Sequence, residues 1–279
     1  MGRDNLEIKL KCNRLGKTVV THQYTTYPWR LSGVFRLDAA ESQRAYLYIT
    51  NTSPGLLAGD NLSLSLQLEA TASLYLTDQA ATKVHAMPMA GTKATVESKI
   101  EVAAGASLEF VPEPLILFAD AALEQTTRIQ LHEGAELFWS EIILPGRLAR
   151  GECYQFRHYF SRLEITTARG ELWFRDTTHL EGKHNLFKHS DLFASKPVLA
   201  NLIVVQPQTD LEVLSKKLED IEAANCPDLA VASSVLPEDK GLLVRAMASK
   251  TIGIKKYLKY ALNCVRYSGD RSSLPYIAK

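Results

Sequence analysis

Three carboxylates stand where turns meet strands. Asp60 closes S-P-G-L-L-A-G-D, Glu113 sits between two prolines in V-P-E-P, and Glu152 ends G-R-L-A-R-G-E. A pair of such acids can share general acid and base work, as in a β-rich hydrolase acting on sugars or lipids. Carboxylates are also oxygen donors for a metal cation, which they hold loosely compared with thiolates or imidazoles. Each has a plain structural use as well. Asp60 can hydrogen-bond its own backbone in an Asx-type turn, Glu113 can be a turn acid, and Glu152 can pair with Arg147 or Arg150.

Other chemistries are poorly served. Gly55 and Gly59 suggest a phosphate loop, but Asp60 and Asn61 follow where a nucleotide-binding loop needs Lys and Ser or Thr. No G-x-S-x-G or H-E-x-x-H is present. Cys12, Cys153, Cys226 and Cys264 are scattered with no C-x-x-C, which favours buried free thiols over a disulfide framework or a zinc ribbon. His179, His184 and His189 recur at steps of five. That step alternates strand faces and turns about 140° on a helix, so joint metal ligation would need a loop.

The elements that would position these residues are mostly strands. Leu62, Leu64, Leu66 and Leu68 alternate with polar residues, which is the period of a strand with one buried face. Four segments, 69–78, 103–113, 132–141 and 168–176, share one plan of small turn, Leu, alternating strand and acid. Their leucines, Leu74, Leu108, Leu137 and Leu172, are 34, 29 and 35 residues apart. Recurrence near that period predicts a mainly β fold, a solenoid-like or layered antiparallel β body over about 20–205. A helical region over about 209–266 follows, with two or so helices. Leu211, Leu214, Leu218 and Ile221 share one helical face behind Thr209 or Asp210 as cap. A second helical region is expected from about Pro237 to Arg266, with Gly253 as the place for a break. No linker interrupts the 279 residues, so one domain spans 1–279.

Composition is that of a soluble globular chain, 46% hydrophobic and 23% charged, and no apolar run reaches the length of a membrane span. The charged start lacks a signal-peptide core, so a cytoplasmic location is expected and no membrane partner. From Lys240 to Lys279, nine Lys or Arg stand against Asp270 alone, on a chain whose net charge is +1. That basic tail on an acidic body suggests a charged partner surface or a solvated helix face. No nucleic-acid-binding pattern accompanies it.

Four motifs in order carry a resemblance: S-P-G-L-L-A-G-D (53–60), L-T-D-Q-A-A-T-K-V (76–84), F-V-P-E-P-L-I-L-F (110–118) and P-G-R-L-A-R-G-E (145–152), with G-L-L-V-R-A-M-A (241–248) beyond them. Together they resemble the urease accessory protein UreD family, called UreH in some bacteria. Pro54, Asp78 and Pro114 depart from the residues the family usually has there. The resemblance implies a maturation factor that is not an enzyme. It would bind apo-urease and UreF, and with the GTPase UreG enable GTP-dependent nickel insertion into the urease active site. No stably bound cofactor is expected, only nickel in transit. On that reading Asp60 and Glu152, with Glu113 as a third, belong to the nickel path. Lys83 and Arg147 position loops or partners, and Arg245 anchors a partner. The rival readings are a β-rich hydrolase using an acidic pair and an interaction scaffold unconnected with metals.

Overall fold

The computed structural model describes residues 4–38, 43–182 and 190–279. Strands β1 (Leu6–Cys12), β2 (Thr18–Thr25), β3 (Trp29–Leu31) and β4 (Ala45–Asn51) open the chain. Then follow β5 (Asn61–Leu68), β6 (Ser73–Asp78), β7 (Thr82–Val84), β8 (Ala94–Val102), β9 (Ser107–Phe110), β10 (Leu115–Leu117), β11 (Ala122–Leu131), β12 (Glu136–Leu144), β13 (His158–Thr167) and β14 (Leu172–Leu180). The last third holds α1 (Asp191–Ser195), β15 (Val198–Val205), α2 (Leu211–Glu219), β16 (Ala230–Val235), β17 (Leu242–Ala248) and α3 (Thr251–Ser268).

Two open sheets result, ordered β14-β13-β11-β8-β5-β1-β2 and β16-β17-β15-β12-β9-β6-β4-β3. Between β4 and β13 the chain shuttles from one sheet to the other. Strands that become neighbours are therefore separated by a whole strand of the opposite sheet. Such long links permit parallel pairing. The pairs β5–β8, β8–β11 and β11–β13 are parallel, and so are β4–β6, β6–β9 and β9–β12. The antiparallel body expected from the sequence is thus corrected at its centre. Antiparallel pairing holds at the flanks, in β1–β2, β3–β4, β13–β14, β12–β15, β15–β17 and β16–β17.

Three of the four recurring leucines stack. Leu108 is in register with Leu74 on one side and Leu137 on the other, and all three are buried at 1% exposure or less. Leu172 instead begins β14 at an edge of the other sheet and is exposed. The main core lies between the sheets, where Leu64, Leu66 and Leu68 meet Leu74, Leu76, Leu108 and Leu137. A second apolar layer covers the outer face of the second sheet, against α2 and α3.

The last third departs from expectation. Residues Leu242–Ala248, expected within the helical region, form β17, and β16 precedes it. In β17 the buried set is Leu242, Val244, Ala246 and Ala248, a period of two that overrides the helical spacing of Leu243 and Met247. Helix α2 has its expected cap and most of its expected face: Asp210 accepts from the Val213 N–H at 3.0 Å, and Leu211, Leu214 and Leu218 are buried, but the helix ends at Glu219 and Ile221 lies half-buried in the turn beyond it. Of the free cysteines only Cys226 is buried, and the other three are half-buried.

Helix α3 is pinned by a buried ion pair. Arg266, 2% exposed, donates to Glu109 on β9 at 3.0 and 2.5 Å, to the Tyr46 hydroxyl at 3.1 Å and to Asp38 at 3.3 Å. Burial alone would push the Glu109 carboxyl up, but Arg44 and Arg266 together hold it below the usual carboxylate range. Among the described residues, no helix is long and apolar enough to cross a membrane.

Candidate functional site

A strand with one face in the core normally points apolar residues inward. Several inward positions here are polar. Asp78 follows Leu74 and Leu76 in the same phase of β6, Ser98 lies between Val96 and Ile100, Gln125 and Thr127 lie between Leu123 and Ile129, and Glu141 follows Leu137 and Trp139. All of them line one cavity of about 150 Å³ between the two sheets, with Glu113 and Asn51 also at its wall. That volume holds several water molecules, and its walls offer polar partners for them.

Glu141 is the innermost acid. Its carboxylate accepts from Gln125 at 2.9 Å, from Asn201 at 2.9 Å and from the Tyr159 hydroxyl at 3.4 Å. Burial raises its pKa, and the neighbouring charge of Asp176 adds to that, against the hydrogen bonds from Asn201 and Tyr159. Glu141 also lines a narrow cleft of about 10 Å³ that reaches Asp176 and Asn201. Asp176 in turn pairs with Arg245 at 2.9 Å, bridging β14 of one sheet and β17 of the other. Burial pushes the Asp78 carboxyl up to about 7, although the Glu113 N–H donates to it at 3.2 Å and Lys279 lies close. Glu113 behaves in the opposite way. Burial opposes its charge, but hydrogen bonds from Lys279 and from Lys255, the latter at 2.9 Å, hold it below the ordinary carboxylate range.

The residues singled out from sequence do not converge. Of Asp60, Glu113 and Glu152, only Glu113 lines the cavity. Asp60 accepts from the Leu57 N–H at 2.8 Å through its side chain, and its backbone oxygen accepts from Thr95 at 2.8 Å, so it closes its own turn before β5. Glu152 receives both arms of Arg147, one at 2.8 Å, and that contact lowers its pKa. The guanidinium of Arg147 lies over the Phe118 ring at 4.4 Å from the centroid. Gly55 and Gly146 hold these two loops close to their neighbours. A Cβ on Gly55 would lie 2.3 Å from the Lys83 oxygen, and one on Gly146 2.4 Å from the Glu152 oxygen. Lys83 and Arg147 do share a surface, a groove described below. Arg245 sits on a strand rather than a helix, and its partner is Asp176.

Asp78, Glu141 and Gln125 were missed. Their signal was present in the strand phase: a polar residue in the register of buried leucines marks a wet interior. His184 and His189 lie outside the described residues, while His179 is on β14, with its ring 5.1 Å from that of His158. Among the described residues, no group of three or more His, Cys, Asp or Glu is placed to hold a metal ion.

The model of the UreD urease accessory protein family matches residues 3–278. The chain belongs to the UreD family. It is similar to the urease accessory protein UreD of Trichodesmium erythraeum (strain IMS101), at 72% identity over 279 residues and the full length of both chains. The UreD of Haloarcula marismortui is 30% identical over 266 residues, covering 95% of this chain and 87% of that protein. The protein named UreH in Helicobacter pylori (strain G27) is 29% identical over 236 residues, covering 83% and 85%. For a UreD-family chain, the structural findings are a polar cavity inside a two-sheet body, with Leu56, Asp78, Thr82 and Glu113 of three of the shared motifs in its wall.

Proposed function

We propose that this UreD-family chain is a urease maturation factor that binds apo-urease and, with UreF and the GTPase UreG, serves GTP-dependent nickel insertion in the cytoplasm. Family membership over nearly the whole chain supports the urease part. One structural observation carries the nickel part: the cavity between the sheets, walled by Asp78, Glu113 and Glu141. Nickel is cargo here. Oxygen donors and water bind it more weakly than imidazole or thiolate, so a wall of carboxylates attracts the cation and still lets it leave. Glu141, shared by the cavity and the cleft towards Asp176, is the residue the ion would pass. Asp60 and Glu152, first placed on the path, serve instead to shape the loops beside it. The chain itself breaks no bond on this reading, and the nucleotide chemistry belongs to the GTPase.

The test is Glu141→Gln, which keeps the shape and one of the two accepting oxygens but removes the charge. Co-expressed with urease and the other accessory proteins in nickel-fed cells, the variant should lower urease activation at least about tenfold, while the accessory complex co-purifies as before. Full activation by the variant would rule out the passage. Loss of the complex would make Glu141 a structural residue.

A further inference from the structure

A groove of about 640 Å³ lies between the loop 145–150, β7 and the start of α3. Its floor is apolar, built from Ile116, Phe118, Leu144 and Leu148. Its rim is of one sign. Lys83, Arg147, Arg150 and Lys250 line it, and no acidic side chain does. Arg147 is committed to Glu152. Lys83, Arg150 and Lys250 are exposed and, among the described residues, have no ion-pair partner.

Cations so grouped repel one another, and among the described residues only the Arg147 charge is offset, by Glu152. Helix α3 adds to the field. It starts at this rim behind Lys250, with no side-chain cap and no acid in its first turn, so the positive end of its dipole faces the groove. Ile252, in that first turn, is 71% exposed and adds apolar surface nearby.

We infer that this groove docks an acidic segment of a protein partner, with an apolar side chain of that segment seated on Phe118 and Leu148 and its carboxylates on Lys83, Arg150 and Lys250. Charge complementarity selects the sign of the partner, and the apolar floor supplies the anchor that a purely ionic contact lacks. A nucleic acid would satisfy the rim but waste the floor. The groove is a different surface from the cavity, and the inference stands or falls separately from the nickel reading.

The experiment uses the full chain and a short fluorescein-labelled peptide of Glu and Asp residues interrupted by Leu and Phe, followed by fluorescence anisotropy at low salt. Three probes serve as controls: the same peptide with Lys for each acid, an acidic peptide without apolar residues, and an oligothymidylate. Two variants are compared with the parent chain. Lys83→Glu/Arg150→Glu/Lys250→Glu reverses the rim, and Ala149→Trp fills the groove while leaving its charge. Circular dichroism and urea denaturation verify that both remain folded. The acidic apolar peptide should bind the parent best, and each variant should weaken it by about tenfold or more. No binding to the parent, or equal binding to parent and variants, overturns the inference. So does tighter binding of the oligothymidylate with the same loss in the rim variant, which would make the groove a nucleic-acid surface.

Discussion

At the scale of single residues, the carboxylates of this chain divide by what faces them. Glu109 is buried but meets Arg266 and Arg44, and it stays charged. Its folded pKa is depressed, so its contribution to stability is present above the ordinary Glu value and is lost as pH falls through the folded one. Replacing Glu109 by Gln should cost about 3–5 kcal/mol at neutral pH, because Arg266 is then left buried with one counter-charge removed. Urea denaturation would measure this. Acidification below the ordinary Glu pKa should destabilise the parent more than the variant, so the gap between them narrows. Arg245 and Asp176 lie at the other extreme. Arg245 is exposed, so Arg245→Ala should cost at most about 1 kcal/mol in the same measurement.

At the scale of elements, the alternation of leucines was enough to find strands such as β5, and their recurrence marked three that turn out to be neighbours. Leu74, Leu108 and Leu137 recur because they occupy one rung of a parallel stack, so the sequence echo is a register seen from outside. Leu108→Ala, at the middle of that rung with 0% exposure, should cost about 2–5 kcal/mol in denaturant melts with little change in the slope. Pairing direction was not legible, since alternation is the same in parallel and antiparallel strands. Nor was β17, because Leu243 and Met247 fit a helical spacing that only the partners β15 and β16 overrule. The cavity was half legible. Glu113 was noticed for its prolines, whereas Asp78 and Glu141 required asking which phase of a strand each acid occupied. Asp60 and Glu152 drew attention because motifs end on them, and motif ends are where loops need anchoring.

At the scale of the whole molecule, the basic tail finds most of its partners at home. Lys240 pairs with Glu238, Arg245 with Asp176, Lys255 and Lys279 with Glu113, Arg266 with Glu109, and Arg271 with Glu136. The surplus seen in the sequence is therefore largely a way of fastening the last third to the strands before it. What it leaves without an ion-pair partner among the described residues is Lys250, just before α3, and Lys256 and Lys259 in its first half. Only Lys250 of these lines the groove where Lys83 and Arg150 wait.

The shuttling of the chain between two layers also bears on how such a protein tolerates changes in length. Within a strand, one inserted residue would swap every inward side chain for an outward one and empty the rung that Leu108 occupies. At the exposed tip of a crossing between layers, such as Ala90–Gly91 between β7 and β8, extra residues would only widen a surface arc. Relatives should accordingly gain and lose residues in those arcs while keeping their rungs in step, which is how spacings of 34 and 29 residues deliver leucines to the same height.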